Sequence, residues 1–435
     1  MAWTGFRVVS IALAGGLGAS GAAHASGFAL RTGSADWLAN AYAGNTAKAY
    51  DASTAWTNPA GMVRLNWNEF DASVNGLFPR IEFSGTNTGP GGVPTSGNGS
   101  PGNGIQSAAT AGTFSVWNFS RDLKFGLAAT SPFGQRVAYP TDWVGRYQSL
   151  VSSITDVEVA LSAAYRIDDR FSIGAGPVID YFHARLTQAV NLGPIGGLFG
   201  DPVGDLRGDD VAVGYLISGL FQLDQGTRFG LTYRSRIQHD ISGGQRVYVP
   251  PALAQASPFL NALLLGASSS ARTQITLPDS VTFGAYHEIT PRLAVMFDVQ
   301  WTHWSLVNNL TVVPTSPLAP TTVTALNFRN SWFGSVGASY KLTNKVMLQA
   351  GLAYDQTPVR GPADRTTRLP DYDRFELGVG ATYAVLANVN LQAAYAHEFA
   401  GNVSIRNAAS ASSGTLVGTY HDSADVVSLG ATLKF

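Results

Sequence analysis

The sequence is short of charge and of long apolar runs, and it contains no cysteine. Only 13% of its 435 residues are charged, about half the roughly 25% usual for soluble domains. A surface with so little charge is expected to contact something other than water. Beyond the first ~25 residues there is no run of about 18 apolar residues, which argues against membrane-spanning helices. What remains is a transmembrane β-barrel, in which lipid-facing and lumen-facing residues alternate.

Other absences exclude whole classes of function. A chain without cysteine has no disulfide framework and no thiolate metal site. The 28 basic and 29 acidic residues balance to a net charge of −1, so there is no basic field for nucleic acid. No Walker loop or nucleophile elbow occurs, and the seven histidines lack metal-ligand spacing. We therefore expect no enzyme activity, cofactor, metal or nucleic-acid partner.

The N-terminus has the pattern of an export signal. Arg7 precedes the short apolar stretch 8–18, and Ala23-His24-Ala25 forms a small–x–small cleavage site. The stretch is too short to cross a bilayer, and a buried helix is the alternative. We predict a signal peptide at 1–25 and a mature chain that starts near Ser26 and is exported to a bacterial outer membrane.

Strict alternation marks the strands, most clearly at the C-terminus. In 427–435 the odd positions are Val, Leu, Ala, Leu and Phe, whereas the even ones are Ser, Gly, Thr and Lys. A period of two puts these sets on opposite faces of a strand. Fourteen such segments are joined by six short and seven long links. Short periplasmic turns, long external loops and an even strand number are typical of outer-membrane barrels.

The sequence therefore predicts a 14-stranded antiparallel transmembrane β-barrel over 66–435. A soluble all-β protein explains the asymmetry of the links less well. The long links are rich in Gly, Pro and Ser and are predicted to be loops; they lie near 85–108, 134–153, 190–209, 244–274, 309–325, 360–371 and 406–420.

The segment that precedes the first strand does not alternate. Residues 26–65 are rich in Ala, Gly and Asn and end near Asn58-Pro59-Ala60. A barrel of fourteen strands is wide enough to hold a channel or a plug. We predict that this segment is a small N-terminal hatch, or plug, in the lumen.

Strand parity also sorts the lumen-facing side chains. Inward charges such as Glu158, Arg234 and Asp298 must pair or remain hydrated. An apolar lining would suit a hydrophobic ligand, although the same residues would also pack against a plug. The apolar residues predicted to face inward are Val178, Phe182, Leu216, Leu220, Met296, Phe333 and Met347.

One external loop, 250–266, is unusually apolar and partly follows helical spacing. An exposed apolar patch of this kind often marks a binding site. It would form a landing groove at the mouth of the barrel, or else pack on the rim. Its apolar residues are Leu253, Phe259, Leu260, Leu263 and Leu264.

Several stretches resemble the FadL family of outer-membrane transporters for long-chain fatty acids and other hydrophobic compounds. Asn58-Pro59-Ala60 is similar to the family's plug motif. Further matching stretches are 230–236, 277–279, 301–305, 351–359 and 369–375, and they cover essentially the whole mature chain in the expected order. The loops 85–108 and 186–210 do not match, which leaves the ligand undecided.

The resemblance implies capture in an external groove, transfer to a lumenal pocket gated by the hatch, and lateral exit beside a kinked strand. Pro132 and Gly134 are the candidate kink, although proline is also common at strand ends. Arg329 aligns with a basic position in the family's pocket, where it would face a ligand carboxylate, and parity points it inward. His183 and Arg185 also lie where the family has basic residues, but their direction is open.

The function predicted from the sequence is passive uptake of hydrophobic compounds, long-chain fatty acids above all. Aromatic hydrocarbons or other lipophiles are the alternative by the same route, and a general porin or a purely structural barrel are alternatives of other classes. The expected partners are these small molecules and outer-membrane lipid, and the expected oligomeric state is a monomer.

Overall fold

The computed structural model describes residues 27–410 and 412–435. The predicted signal peptide lies outside the described residues. From residue 69 onward the chain is mostly strand, and the predicted fourteen-stranded antiparallel barrel is confirmed. The first strand pairs with the last in continuous register from Glu69 opposite Lys434 to Thr88 opposite Thr415. The first and last strands therefore leave no free sheet edge, as a hydrocarbon environment requires.

Five of the barrel strands consist of two segments separated by a break. The strands are β1 (Glu69–Thr88), β2 (Ala108–Asn118), β3 (Leu123–Thr130 and Gly134–Ala138), β4 (Val151–Arg166), β5 (Phe171–Ala189), β6 (Val203–Gln222), β7 (Thr227–Arg234 and Ile237–Tyr248), β8 (Ser269–Leu277 and Ser280–Thr290), β9 (Leu293–Thr302 and Asn309–Pro314), β10 (Thr322–Ala325 and Ser331–Lys341), β11 (Val346–Asp355), β12 (Arg374–Leu386), β13 (Val389–Ser410) and β14 (Gly414–Lys434).

The helices are short. They are α1 (Ala35–Ala39), α2 (Thr54–Thr57), α3 (Pro194–Phe199), α4 (Pro251–Ala256) and α5 (Pro258–Gly266), with 3-10 turns at Pro59–Arg64, Pro90–Gly92 and Trp304–Leu306. In the described part of the chain no helix combines the length and apolarity needed to cross a bilayer.

Several predicted loops are shorter than the sequence suggested. The predicted loop at 406–420 is wrong, because β13 continues to Ser410 and β14 begins at Gly414. Likewise, β6 begins at Val203, inside the predicted loop 190–209, and pairs there with the end of β5. Outside the membrane a hairpin can carry polar residues on both faces, so its sequence lacks the alternation from which strands were predicted.

Residues 27–65, called here the N-terminal segment, are almost entirely buried. Ser34 caps the N-terminus of helix α1, because its hydroxyl accepts a hydrogen bond from the Asp36 amide at 3.2 Å. The helix contacts β12, β13 and β14, whereas the 3-10 turn Pro59–Arg64 contacts β3, β4, β5 and β6. The segment therefore bridges opposite walls of the barrel.

Candidate functional site

A central cavity of about 140 Å³ lies between the N-terminal segment and the broken strands. Four neighbouring strands, β7 to β10, are each interrupted between residues 235 and 330, and Ser235, Pro278 and Trp304 from the breaks of β7 to β9 line the cavity. The cavity lining is mixed, with Trp37, Trp56, Phe133, Trp304 and Phe333 among the aromatic side chains. Such a lining suits an apolar ligand held by a few polar groups.

Both arginines of the central cavity are already paired. Arg234 forms an ion pair with Glu158 and lies over the Trp56 ring at 4.1 Å. Glu158 also accepts a hydrogen bond from the Trp56 indole N–H at 2.8 Å. The cavity therefore holds this cation and its counter-ion together, so it has little excess positive charge on this side.

Arg31, on the N-terminal segment, is held in the same way. Its guanidinium donates to Gln300 Oε1 at 2.6 Å and lies 3.5 Å from the Asp355 carboxylate. It also stacks over Phe333, 3.8 Å from the ring centroid. Phe333 thus contacts both the cavity and the N-terminal segment.

Strand β3 is broken beside this cavity. Its pairing with β2 ends at Thr113 opposite Ala129, and after the break Gly134–Ala138 pairs with β4. Pro132 has no amide N–H to continue the ladder. Strand β3 is therefore interrupted at Pro132 and Gly134, and its pairing with the β2 side stops at Ala129 and resumes only at Val137, which bridges Ile105.

The N-terminal segment fills the resulting gap. The Leu30 amide donates to Pro132 O at 2.6 Å, and the Gly134 amide donates to Phe28 O at 2.9 Å. Phe28, Phe133 and Trp304 form one aromatic group, with ring centroids 5.0–6.2 Å apart. Residues 28–30 thus replace the missing neighbour of the kinked strand.

The far side of the gap is closed by the next residues. The Thr32 and Thr110 hydroxyl oxygens are 3.4 Å apart. A Cβ on Gly112 of β2 would lie only 2.0 Å from the Gly33 carbonyl oxygen. The wall at this level is therefore sealed by the N-terminal segment rather than by a strand.

The Asn58-Pro59-Ala60 motif fastens the segment at its periplasmic end. The Asn58 amide group donates to Thr46 O at 2.6 Å and to Gly219 O of β6 at 3.1 Å. The Ala60 amide donates to Ser218 Oγ at 3.0 Å, and Pro59 packs against Gly174 of β5. All three residues thus anchor the segment to the wall, which supports their predicted place in a hatch.

An upper cavity lies nearer the long loops and is separate from the central one. It is enclosed by β4 to β9 and is largely apolar, with Ile154, Phe182, Leu186, Leu206 and Ile241 in its lining. Parity had grouped Phe182 with Phe333, but these two rings line different cavities.

The other predicted lumenal residues mostly pack rather than line space. Val178 and Leu216 belong to one buried cluster with Trp37 and Met62. Met296 packs with Ala43 and Ala47. Leu220 is buried as well, whereas Met347 lies near the periplasmic turn and is half-buried. None of these five lines the central or the upper cavity.

The inward direction predicted for Arg329 is not observed. Its guanidinium is 39% exposed and lies 4.0 Å from Asp373, whose carboxylate also accepts a hydrogen bond from the Tyr354 hydroxyl at 3.0 Å. Tyr354 belongs to the lipid-facing set of β11. Arg329 precedes the second segment of β10, where the chain does not yet follow strand parity.

His183 and Arg185 do not line the central or the upper cavity either. Arg185 forms a bidentate pair with Asp205 and shares this carboxylate with Arg207. His183 is half-buried on the same strand. The direction that the sequence left open is therefore away from the lumen, because alternate positions of β5, such as Phe182, face inward.

The external apolar loop forms two helices on the rim. Phe259 is 81% exposed and Leu263 42% exposed, whereas Leu253 is fully buried and so does not belong to the exposed surface. Leu260 and Leu264 are half-buried. Helix α3, which contacts α4, adds Ile195, Leu198 and Phe199; the sequence reading missed this helix because two glycines interrupt its apolar spacing.

The exposed apolar residues of these two loops are named the rim surface: Ile195, Leu198, Phe199, Phe259, Leu263 and Leu265. An exposed patch this apolar is unusual unless it binds something.

Comparison with known proteins decides the family. The family model described as outer membrane protein transport protein (OMPP1/FadL/TodX) matches residues 16–435. The chain belongs to this family. It is therefore an outer-membrane transport protein and not an enzyme, and its ligands are hydrophobic compounds.

Individual relatives in the OMPP1/FadL/TodX family agree. A putative outer membrane protein of Neisseria meningitidis serogroup B is 28% identical over 98% of both chains. The long-chain fatty acid transport protein of Escherichia coli K12 is 26% identical over 86% of this chain and 88% of its own. A crystal structure of a Pseudomonas aeruginosa FadL homologue superposes with a TM-score of 0.85 at 24% identity, covering 94% of this chain and 100% of that one.

Proposed function

We propose that the chain mediates passive uptake of long-chain fatty acids and related lipophiles across the outer membrane. The observation that carries this proposal is the break in β3 beside the central cavity, where the N-terminal segment alone seals the wall. A ligand would land on the rim surface, pass to the central cavity and leave sideways through this gap. Movement of residues 28–33 would be the gating step.

Fatty acids are the first candidate on the strength of the curated relatives, of which several carry the name long-chain fatty acid transport protein. The charge balance of the central cavity supports a second candidate. A ligand carboxylate would have to compete with Glu158 for Arg234 and with Asp355 for Arg31. An uncharged aromatic hydrocarbon would meet no such competition, and one structure of similar fold is of a Pseudomonas putida toluene transporter (TM-score 0.69, 15% identity, 94% of this chain and 100% of that one).

A reversible cross-link tests the lateral route. The Thr32→Cys/Thr110→Cys pair would join the N-terminal segment to β2, and the native chain contributes no competing thiol. We expect the oxidised pair to block uptake of laurate and toluene into cells, and reduction to restore it. Undiminished uptake by the oxidised pair would contradict exit through this gap.

The matched control joins two strands that are already neighbours. Asn75→Cys/Ser428→Cys replaces a β1–β14 side-chain hydrogen bond of 2.6 Å with a disulfide. This pair should leave uptake unchanged in both redox states, so that any general effect of oxidation is separated from closure of the gap.

Growth and binding measurements with laurate and toluene separate the two ligand classes. The test uses a strain whose own fatty-acid transporter gene is deleted and which carries this gene instead. If the fatty-acid candidate is correct, the strain grows on laurate but does not take up toluene. The reverse result selects the hydrocarbon candidate, and uptake of neither rejects the proposal.

A further inference from the structure

Arg368 is a half-buried arginine at the barrel mouth. It lies in the loop between β11 and β12 and donates only to neutral oxygens: Ser152 Oγ at 3.0 Å, Gln188 Oε1 at 2.6 Å and Thr187 O at 3.5 Å. In residues 27–410 and 412–435 no carboxylate lies within ion-pair distance of it. By contrast, nearby Arg374 contacts Asp371 at 2.7 Å and Glu398 at 3.0 Å.

The charge on Arg368 is costly where it lies. The side chain is half-buried, and loss of hydration lowers its pKa to about 10, which still leaves it protonated at neutral pH. A partly desolvated cation without a counter-ion favours an anion that can complete its hydrogen bonds, and guanidinium matches a carboxylate in a bidentate geometry.

Arg368 contacts the outer end of the β4–β5 wall, and the next residues of this wall line the upper cavity. Arg207, which is paired with Asp205, and the exposed Arg272 also lie in the lining of that cavity. Ser152 pairs with Leu186 across β4 and β5, and the next inward pair is Ile154 with Ala184. Leu186, Ile154 and Ala184 all line the upper cavity. A cation at the mouth therefore sits at one end of an apolar wall that continues inward to Phe182.

The loop that carries Arg368 is itself fixed to the barrel. The Tyr139 hydroxyl donates to Thr367 O at 3.1 Å, and the Gln135 side chain donates to Arg368 O. Gln135 and Tyr139 lie on and just after the second segment of β3. The position of the guanidinium is thus set by backbone contacts that do not depend on its own charge.

We infer that Arg368 and the upper cavity form an anion-selective site that holds an amphiphilic carboxylate by its headgroup and the adjoining methylene groups. This site precedes the central cavity on the path inward, and it rests on the proposed uptake function. The arginines of the central cavity are already paired with carboxylates. Selection for ionised amphiphiles would therefore take place at the mouth, before the ligand reaches the central cavity.

The test compares laurate with dodecanol, which has the same alkyl chain and no charge. Binding of each to the purified full-length protein is measured at neutral pH. Arg368→Gln should weaken laurate binding about tenfold, or about 1.4 kcal/mol, and leave dodecanol binding unchanged. Arg368→Lys keeps the charge and should recover part of the lost affinity.

Arg360→Gln is the matched control, because Arg360 lies in the same loop but is exposed and donates to Asn327 O at 2.8 Å. It should change neither affinity. Equal weakening of both ligands by Arg368→Gln, or no weakening of laurate, would overturn the inference. If the unmodified protein bound neither ligand, the proposed function itself would fail, so the two failures are distinguishable.

Discussion

The N-terminal segment packs directly against one wall of the lumen and is separated by a cavity from another. On β11 and β12 the inward positions next to α1 are glycines, and a Cβ on Gly351 or Gly378 would lie 1.9 or 2.3 Å from a carbonyl oxygen of the segment. On β7 to β9 the corresponding level carries Ile237, Leu277 and Gln300, and the central cavity remains between wall and segment.

The contrast shows how one barrel holds both an anchor and a pocket. Where the wall has no side chains, helix α1 lies against the backbone and no space is left for a ligand. Where the wall has side chains and its strands are broken, the segment is held at a distance. We call the first surface the anchoring wall (β11 and β12) and the second the cavity wall (β7 to β9).

The largest effect on the stability of the N-terminal segment is expected from breaking its buried ion pair next to the anchoring wall. Lys48 Nζ lies 2.7 Å from Asp36, and both side chains are buried; Gln349 of the anchoring wall donates to the same carboxylate at 2.9 Å. Lys48→Met leaves that carboxylate without its cation, which typically costs about 3–5 kcal/mol. Hydrogen exchange of amides 35–48 should speed up accordingly.

The double variant Lys48→Met/Asp36→Leu is the control, because it removes both charges. It should recover much of the protection. Unchanged exchange in Lys48→Met would mean that the backbone contacts of the anchoring wall suffice without the ion pair.

The next effect comes from adding side-chain volume to the anchoring wall. Gly351→Val places atoms where the Asn40 carbonyl oxygen now lies, and overpacking of this kind costs about 1–3 kcal/mol. We expect α1 to be displaced and ion conductance in planar bilayers to rise. Gly334→Val, on the adjacent strand with nothing within 4 Å of the new Cβ, should conduct like the unmodified protein.

On the cavity wall, added volume should reduce binding rather than displace the segment. Thr282 of β8 lines the central cavity, so Thr282→Trp is expected to lower affinity for both laurate and toluene about tenfold, or about 1.4 kcal/mol. Val281→Trp, on the adjacent lipid-facing position, is the comparison. Equal losses in both variants would show that the effect does not arise in the cavity.

The smallest effect is predicted for Arg329→Ala, which the sequence had pointed to as a ligand contact. Its exposed guanidinium and long 4.0 Å contact with Asp373 place it among surface groups, where substitutions usually change free energies by less than about 0.5 kcal/mol. Laurate affinity should therefore match that of the unmodified protein. A tenfold loss would restore Arg329 to the binding site and weaken the case for Arg368.

Strand parity predicted well which residues face the lumen, but it did not predict which groups those residues contact. It put Glu158 and Asp298 inside, and their burial agrees with this. It gave no reason for the inward glycines Gly351 and Gly378, since the reason is a carbonyl oxygen that belongs to residues more than three hundred positions earlier in the chain.

Loops were the weakest part of the prediction for a related reason. Arg368 and helix α3 lie in segments whose positions depend on contacts with Thr187, Gln188 or α4, far away in sequence. The inward direction predicted for Arg329 differs from the structure because strand parity was applied to a residue that precedes its strand segment, which begins at Ser331.

The sequence by itself determined the barrel, its strand number and the residues that face lipid, because a period of two and the need to satisfy every backbone hydrogen bond leave few alternatives. Only the tertiary structure decided which inward residues line space and which pack. That choice depends on where a separate segment rests inside the closed barrel, and on whether each buried charge finds a partner there.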